Sequence, residues 1–360
     1  MNDTRHLHRY LSKSYLNARR RIQTLARSKN WSHQSLPYPA YGPEQQALSI
    51  DLFHLNQRTA KRRLILSSGV HGVEGYLGSA IQLALIDQWD RLAQNQAWNI
   101  TLVHAVNPYG FAWNRRVNEE NVDLNRAHHH DASKYFGAPP NYELLKKVLA
   151  PKWSKNKRLD PFVFQALWLI FKNGFSTIKQ QIAGGQYVDP QGLFYGGSQA
   201  SRSQHILAPI IHTWCEGMDE VLHIDIHTGL GPYGQCSLTP APILTKDERS
   251  LLSQRLHVTT LHNDDPDGVF YEVCGDWLSW CSTIYPKTHY LGVTAEFGTY
   301  HPIKVLMSLR QENALTQGEA SAELIAKARH ELHSIFCPQD PFWSHSCIEY
   351  TLSLIQKLLH

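Results

Sequence analysis

Residues 63–88 read RLILSSGVHGVEGYLGSAIQLALIDQ. The stretch opens on an apolar strand-like run, Arg63–Ser68, and passes through glycines at 69, 72, 75 and 78. It closes on an apolar helix near Ser79–Gln88. A buried strand that turns through glycines into a helix is the repeating unit of a sheet covered by helices. Upstream, a second strand-like run, Ala47–Leu55, joins it through the polar turn 56–61. Downstream, the run Asn99–Val106 ends at Asn107-Pro108, a turn dipeptide. Further strands are predicted at Glu220–Ile226, Ala241–Leu244 and Tyr290–Ala295, with amphipathic helices closing the chain. The alternation argues for an α/β fold with a substantially parallel sheet.

Outside this frame the reading is coarser. Residues 1–30 carry Leu7, Tyr10, Leu11, Tyr15 and Leu16 at helical spacing, and Pro37, Pro39 and Gly42 mark a loop. Residues 139–200 are the least regular, with helices expected over Glu143–Leu149 and Phe162–Ile182. The glycine-rich, aromatic loop Gly184–Gly197 leaves two readings open, a pocket wall or an ordinary long turn. No repeat, low-complexity tract or linker divides the chain, so one domain over residues 1–360 is expected.

Composition removes several function classes. Among 360 residues, 42% are hydrophobic and 18% charged, which excludes a disordered chain. A net charge of +4 gives no electrostatic footprint for nucleic acid. The apolar run Phe162–Phe171 falls well short of the roughly 20 residues that span a bilayer, so no membrane is expected as a partner. The N-terminus has no signal-peptide core and no cysteine pair has CxxC spacing, so the expectation is a cytoplasmic protein with reduced thiols.

The 21 histidines raise the question of metal. His71 and Glu74 follow the strand LILSS directly, where an α/β sheet presents loops to ligands. Imidazole nitrogen and carboxylate oxygen are good zinc ligands, and three-residue spacing lets both face one ion. Chance alone gives about two such pairs at this composition, so a turn-capping histidine is the bland alternative. A third ligand is expected from Glu220–Thr228, EVLHIDIHT, in which His223, Asp225 and His227 share one strand face. His227 lies at the strand's C-terminal edge and His223 deeper, which favours His227 as ligand. Two histidines and one glutamate leave a coordination position open, the arrangement of a catalytic site. Residues 107–126, NPYGFAWNRRVNEENVDLNR, gather arginines whose forks bind carboxylates or oxyanions. Surface salt bridges to Glu119 and Glu120 are the alternative for Arg115 and Arg116. His128-His129-His130 reads as an exposed polar stretch.

In order, His71-x-x-Glu74, Asn107-Pro-x-Gly110, Arg116, Asp123-Leu-Asn125-Arg126, His227 and Thr294-Ala-Glu296-Phe-Gly298 resemble zinc metallocarboxypeptidases and their aspartoacylase-like relatives. The match is nearest to the bacterial branch known as domain of unknown function 2817, including GLFYGG at 192–197. The resemblance implies a three-layer α/β/α fold with a mixed, mostly parallel central sheet of zinc carboxypeptidase type. It implies Zn2+ held by His71, Glu74 and His227, with Asp123 hydrogen-bonded to the first histidine. It implies Glu296 as general base and Arg116 as the group polarising the scissile carbonyl. Asn125 and Arg126 would hold a substrate carboxylate, and Tyr271 would close over it. The implied activity is hydrolysis of an amide or peptide bond next to a free carboxylate, on a small peptide. The alternative is a zinc-dependent deacylase acting on an N-acyl amino acid, which shares these motifs. A zinc-bearing binding protein without turnover, or a protein whose histidines are incidental, are the other classes to be separated. No oligomeric state is implied.

Overall fold

The computed structural model of the protein describes residues 6–92, 97–151, 162–174, 178, 181, 184–262, 275–284, 289–318 and 320–359. Seven strands form one sheet: β1 (Ser32–Tyr41), β2 (Ala47–Leu55), β3 (Arg62–Ser68), β4 (Trp98–His104), β5 (Glu220–Tyr233), β6 (Cys236–Pro240) and β7 (His289–Gly298). Their order is β1-β2-β4-β3-β5-β7-β6. The central β4, β3, β5 and β7 run parallel, and β1, β2 and β6 add antiparallel edges. Every residue of β4, and all but the first of β3, is buried, as expected of parallel strands covered on both faces.

Eleven α-helices are described: α1 (Tyr15–Ser28), α2 (Gly75–Leu92), α3 (Pro108–Trp113), α4 (Tyr142–Leu149), α5 (Phe162–Asn173), α6 (Arg202–Cys215), α7 (Lys246–Leu256), α8 (Trp277–Thr283), α9 (Pro302–Gln317), α10 (Ala322–Phe336) and α11 (Pro341–Leu359). The alternating side chains of β3 show how two layers cover the sheet. Ser68 faces α2, where Gly78 lets the helix approach its Cβ. Ser67 faces the other way, and Trp277 of α8 donates its indole N–H to the Ser67 hydroxyl at 3.3 Å. The α/β expectation of a mixed, mostly parallel sheet between helices therefore holds.

Three expectations are corrected. The stretch 32–41 is an edge strand, not a loop: Pro37 and Pro39 lack N–H donors, which an outermost strand tolerates. The strand expected at Ala241–Leu244 lies earlier, at Cys236–Pro240. Pro242 cannot donate to a ladder, and Leu244 N–H turns back onto the Ala241 carbonyl at 3.1 Å. The N-terminal helix is split. A short 3-10 turn at His6–Tyr10 precedes α1, whose start is fixed by the Ser14 hydroxyl accepting from Asn17 N–H at 3.2 Å. The helix expected over Phe162–Ile182 is seen as α5 to Asn173, before Gly174 at φ +81°. Most of the residues after Gly174 in that range lie outside the described residues. Among the described residues no helix is long and apolar enough to cross a membrane.

Close backbone packing delivers the site's two main segments to each other. Gly72 N–H donates to the Arg116 carbonyl at 3.1 Å and Val73 N–H to the Arg115 carbonyl at 2.8 Å. A Cβ on Gly72 would overlap the Gly110–Phe111 backbone, so only glycine allows this approach. Gly72→Ala is therefore expected to cost about 1–3 kcal/mol, read as a lower urea midpoint. An unchanged midpoint would show that the segments can part freely.

Candidate functional site

Three parallel strands end together, and the site stands on their C-terminal ends. Beyond β3, Gly69 takes φ +65° and the chain enters a 3-10 turn at Gly72–Glu74 capped by His71. Positions three apart in a 3-10 turn fall on one side, which brings His71 Nδ1 to 2.9 Å from Glu74 Oε1. On β5, His227 lies level with Glu296 on β7. His227 Nδ1 stands 3.1 Å from His71 Nδ1 and 3.1 Å from Glu74 Oε2. His71, Glu74 and His227 are buried, and their ligand atoms lie within 4.8 Å of one another. Among the described residues no other such group occurs.

The proton accounting of this cluster is informative. His71 Nε2 is 3.0 Å from Asp123 Oδ1, and His227 Nε2 is 2.6 Å from Asp225 Oδ2. Both carboxylates are fully buried, and both histidines donate to them through Nε2. Each ring then presents its Nδ1 toward the other and toward Glu74. With both Nε2 atoms committed to carboxylates, two imidazole nitrogens and a carboxylate converge, a donor set that fits a cation. Burial disfavours charge on His227, but Asp225 and Glu74 outweigh it and raise its pKa well above the usual histidine range. Burial likewise pushes Glu74 up, while His71 and His227 more than reverse this and lower it. When all are ionised, Glu74, Asp123, Asp225 and Glu296 outnumber Arg116 and Arg126 by two negative charges, which a dication balances.

Around the cluster, Asp123 holds the arginines. Its Oδ2 accepts from Arg116 Nε at 3.1 Å and lies 3.3 Å from Arg126 Nη1. Its Oδ1 also accepts from Asn125 N–H at 3.0 Å, capping the 3-10 turn Leu124–Arg126. Burial raises the Asp123 carboxyl, but Arg126, Arg116 and His71 together hold it well below the usual range. Arg116 also reaches Glu74 Oε1 at 3.3 Å. Arg126 is 1% exposed, yet its Nε and Nη2 have no hydrogen-bond partner. A buried guanidinium with two free donors is costly unless a ligand takes them. Asn125 is half-buried, its side-chain oxygen accepting from Trp277 N–H at 3.1 Å. Glu296, also half-buried, accepts from Leu230 N–H at 2.9 Å through Oε1. Burial, reinforced by Glu74, pushes its carboxyl up to about 7.

Every sequence-derived site residue except Tyr271 is thus brought to one place; Tyr271 lies outside the described residues. Two contributors were not singled out for a role. Asp225 orients His227, and its signal was the H-x-D-x-H alternation on one strand face. Phe194 carries the Arg126 and Arg116 guanidiniums over its ring, with centroid distances of 5.4 and 5.9 Å. The loop 184–197 is therefore a wall of the site. It is seated by Asp123 N–H on the Tyr195 carbonyl at 2.7 Å, and Gly185 leaves room for the Arg126 stem.

Other expectations shift. Arg115 is no surface group: it is buried against Glu312 at 2.7 Å and Asn121 at 2.9 Å. His128 is buried between Trp277 and Trp280, with its ring held by the Leu124 carbonyl at 2.6 Å. His129 bonds Tyr187, and only His130 is exposed, so the triplet is not a polar surface stretch. The segment after Arg126 packs against Trp277 and Trp280 of α8, a partner that a run of three histidines conceals.

No curated protein matches the sequence. Among solved structures, a candidate metallopeptidase from Shewanella amazonensis is 14% identical, covering 90% of this chain and 93% of its own, with a TM-score of 0.44. Carboxypeptidase A from Helicoverpa armigera is 13% identical over 96% of this chain and 74% of its own, with a TM-score of 0.44. A metallo-carboxypeptidase from Burkholderia cenocepacia is 14% identical over 91% and 69%, with a TM-score of 0.43. The model of the family described as "Protein of unknown function (DUF2817)" matches residues 10–349, nearly the whole sequence, and the chain belongs to that family.

Proposed function

We propose that the protein is a zinc-dependent hydrolase that cleaves an amide or peptide bond next to a free carboxylate. The observation that supports this most is the pairing, through one carboxylate, of the buried His71–Glu74–His227 cluster with a buried guanidinium holding two unused donors. Asp123 touches both: His71 through Oδ1 and Arg126 through Oδ2. His71, Glu74 and His227 would hold the ion. When bound there, zinc supplies an acidified water and polarisation of the scissile carbonyl.

The chain's own groups do the rest. Arg126 pairs its Nε and Nη2 with the substrate carboxylate, and fixing that end orients the bond to be cut. Asn125 lies beside it on the same turn. Glu296 keeps Oε1 on Leu230 N–H and uses Oε2 to take the proton from the attacking water. It then passes that proton to the leaving amine. A carboxyl near neutrality can do both. Arg116 places positive charge beside Glu74, where the developing oxyanion is stabilised.

Five measurements check this. Purified protein should carry one zinc per chain, and chelation should abolish hydrolysis with zinc restoring it; activity that survives chelation contradicts the metal role. A panel of dipeptides and N-acyl amino acids separates a carboxypeptidase from a deacylase. Amidating the substrate carboxylate should cost wild type what Arg126→Ala costs on the free acid, about 100-fold in kcat/KM. An amidated substrate turned over equally well by both proteins counts against the clamp. Glu296→Gln should lower kcat about 10²–10⁴-fold while zinc content stays intact. A base must be deprotonated, and bound zinc lowers its pKa, so kcat/KM should rise with pH along an acid limb at or below about 7.

A further inference from the structure

Behind His227 a line of buried polar groups crosses three adjacent strands on one face of the sheet. Asp225 accepts from His227 through Oδ2 at 2.6 Å, and its Oδ1 lies 2.5 Å from the Ser67 hydroxyl. Ser67 Oγ is 2.6 Å from His223 Nε2, and His223 Nδ1 meets the Tyr290 hydroxyl. Ser67 is level with Asp225 across β3 and β5, and Tyr290 with Val221 across β5 and β7. Ser67, His223, Asp225 and Tyr290 are all buried.

The direction of each bond is forced. Asp225 sets one oxygen against the His227 ring nitrogen and the other against the Ser67 hydroxyl, and as a carboxylate it accepts from both. Ser67 has one proton and spends it on Asp225 Oδ1. Its two lone pairs then take the Trp277 indole N–H, at 3.3 Å, and His223 Nε2–H. Burial holds His223 neutral, with a pKa of about 4, so its Nδ1 is a lone pair that accepts from Tyr290 O–H. Every donor in the line points toward Asp225; the Tyr290 hydroxyl also has the Cys281 thiol as a hydrogen-bond partner.

We infer that Ser67, His223 and Tyr290 are positioning residues that fix the rotamer and tautomer of His227 through Asp225. This rests on the metal-site reading above. Without Ser67, Asp225 loses the bond on Oδ1 and can rotate, and His227 no longer holds Nδ1 on the cluster. A group at position 223 must donate toward Ser67 and accept from Tyr290, which glutamine does and leucine does not. Simple packing would not distinguish the two in that way.

The test is zinc affinity by competition with a chromogenic chelator, with circular dichroism checking each variant's fold. Ser67→Ala and His223→Leu should each weaken zinc by about 10-fold or more, His223→Gln by no more than about threefold. Wild-type affinity in Ser67→Ala, or equal losses in the two His223 variants, overturns the inference. If wild type takes up no zinc, the functional reading fails separately. Ring-nitrogen NMR of the metal-free protein then decides the positioning role, which requires the Nε2–H tautomer at His223. An Nδ1–H tautomer at His223 overturns it, whatever the variants' stability.

Discussion

The carboxylate of Asp123 is the interaction on which the site depends. It is fully buried, and moving an ion of this size out of water costs several kcal/mol unless hydrogen bonds replace the water. Four donors do so, from His71, Asn125, Arg116 and Arg126. They come from different parts of the site: a ring of the His71–Glu74–His227 cluster, the backbone of a turn, and two guanidiniums. One negative charge thereby fixes the distance between the cluster and the Arg126 guanidinium. The same residue receives the 184–197 wall through its backbone N–H, so backbone and side chain anchor opposite sides of the site.

That arrangement explains how much could be read from the sequence. HxxE, HIDIHT, DLNR and AEFG converge because parallel strands end at one edge, so motifs far apart in the chain become neighbours. The α/β pattern with strand-end loops was legible in the alternation of apolar runs and glycine turns. His227 was preferred to His223 by its position along one strand, and the structure places His227 on the cluster and His223 two side chains behind it. What was not legible depends on pairing across the chain. Strand β1 contains two prolines, and only its place at the edge of the sheet makes them tolerable. Phe194 lies in a loop whose sequence reads equally well as a turn. Its role exists only because Arg116 and Arg126, well upstream in the chain, lie over the ring.

The histidines show most plainly why composition misleads. Burial pushes His54, His104, His128, His223 and His333 down to about 4, so all five are neutral. His227 is as buried as these and moves the opposite way, because two carboxylates, Asp225 and Glu74, lie within hydrogen-bond reach of its two nitrogens. The difference is not in the residue or its burial but in the charges that the strand ends bring to it. His104 shares its surroundings with the Ser79 hydroxyl at 2.9 Å, a neutral partner that asks nothing of its charge. A count of 21 histidines is blind to this distinction. The spacing His223-x-Asp225-x-His227 does not resolve it either, since both rings lie two residues from the acid on one strand face; Asp225 bonds His227 directly and reaches His223 only through Ser67.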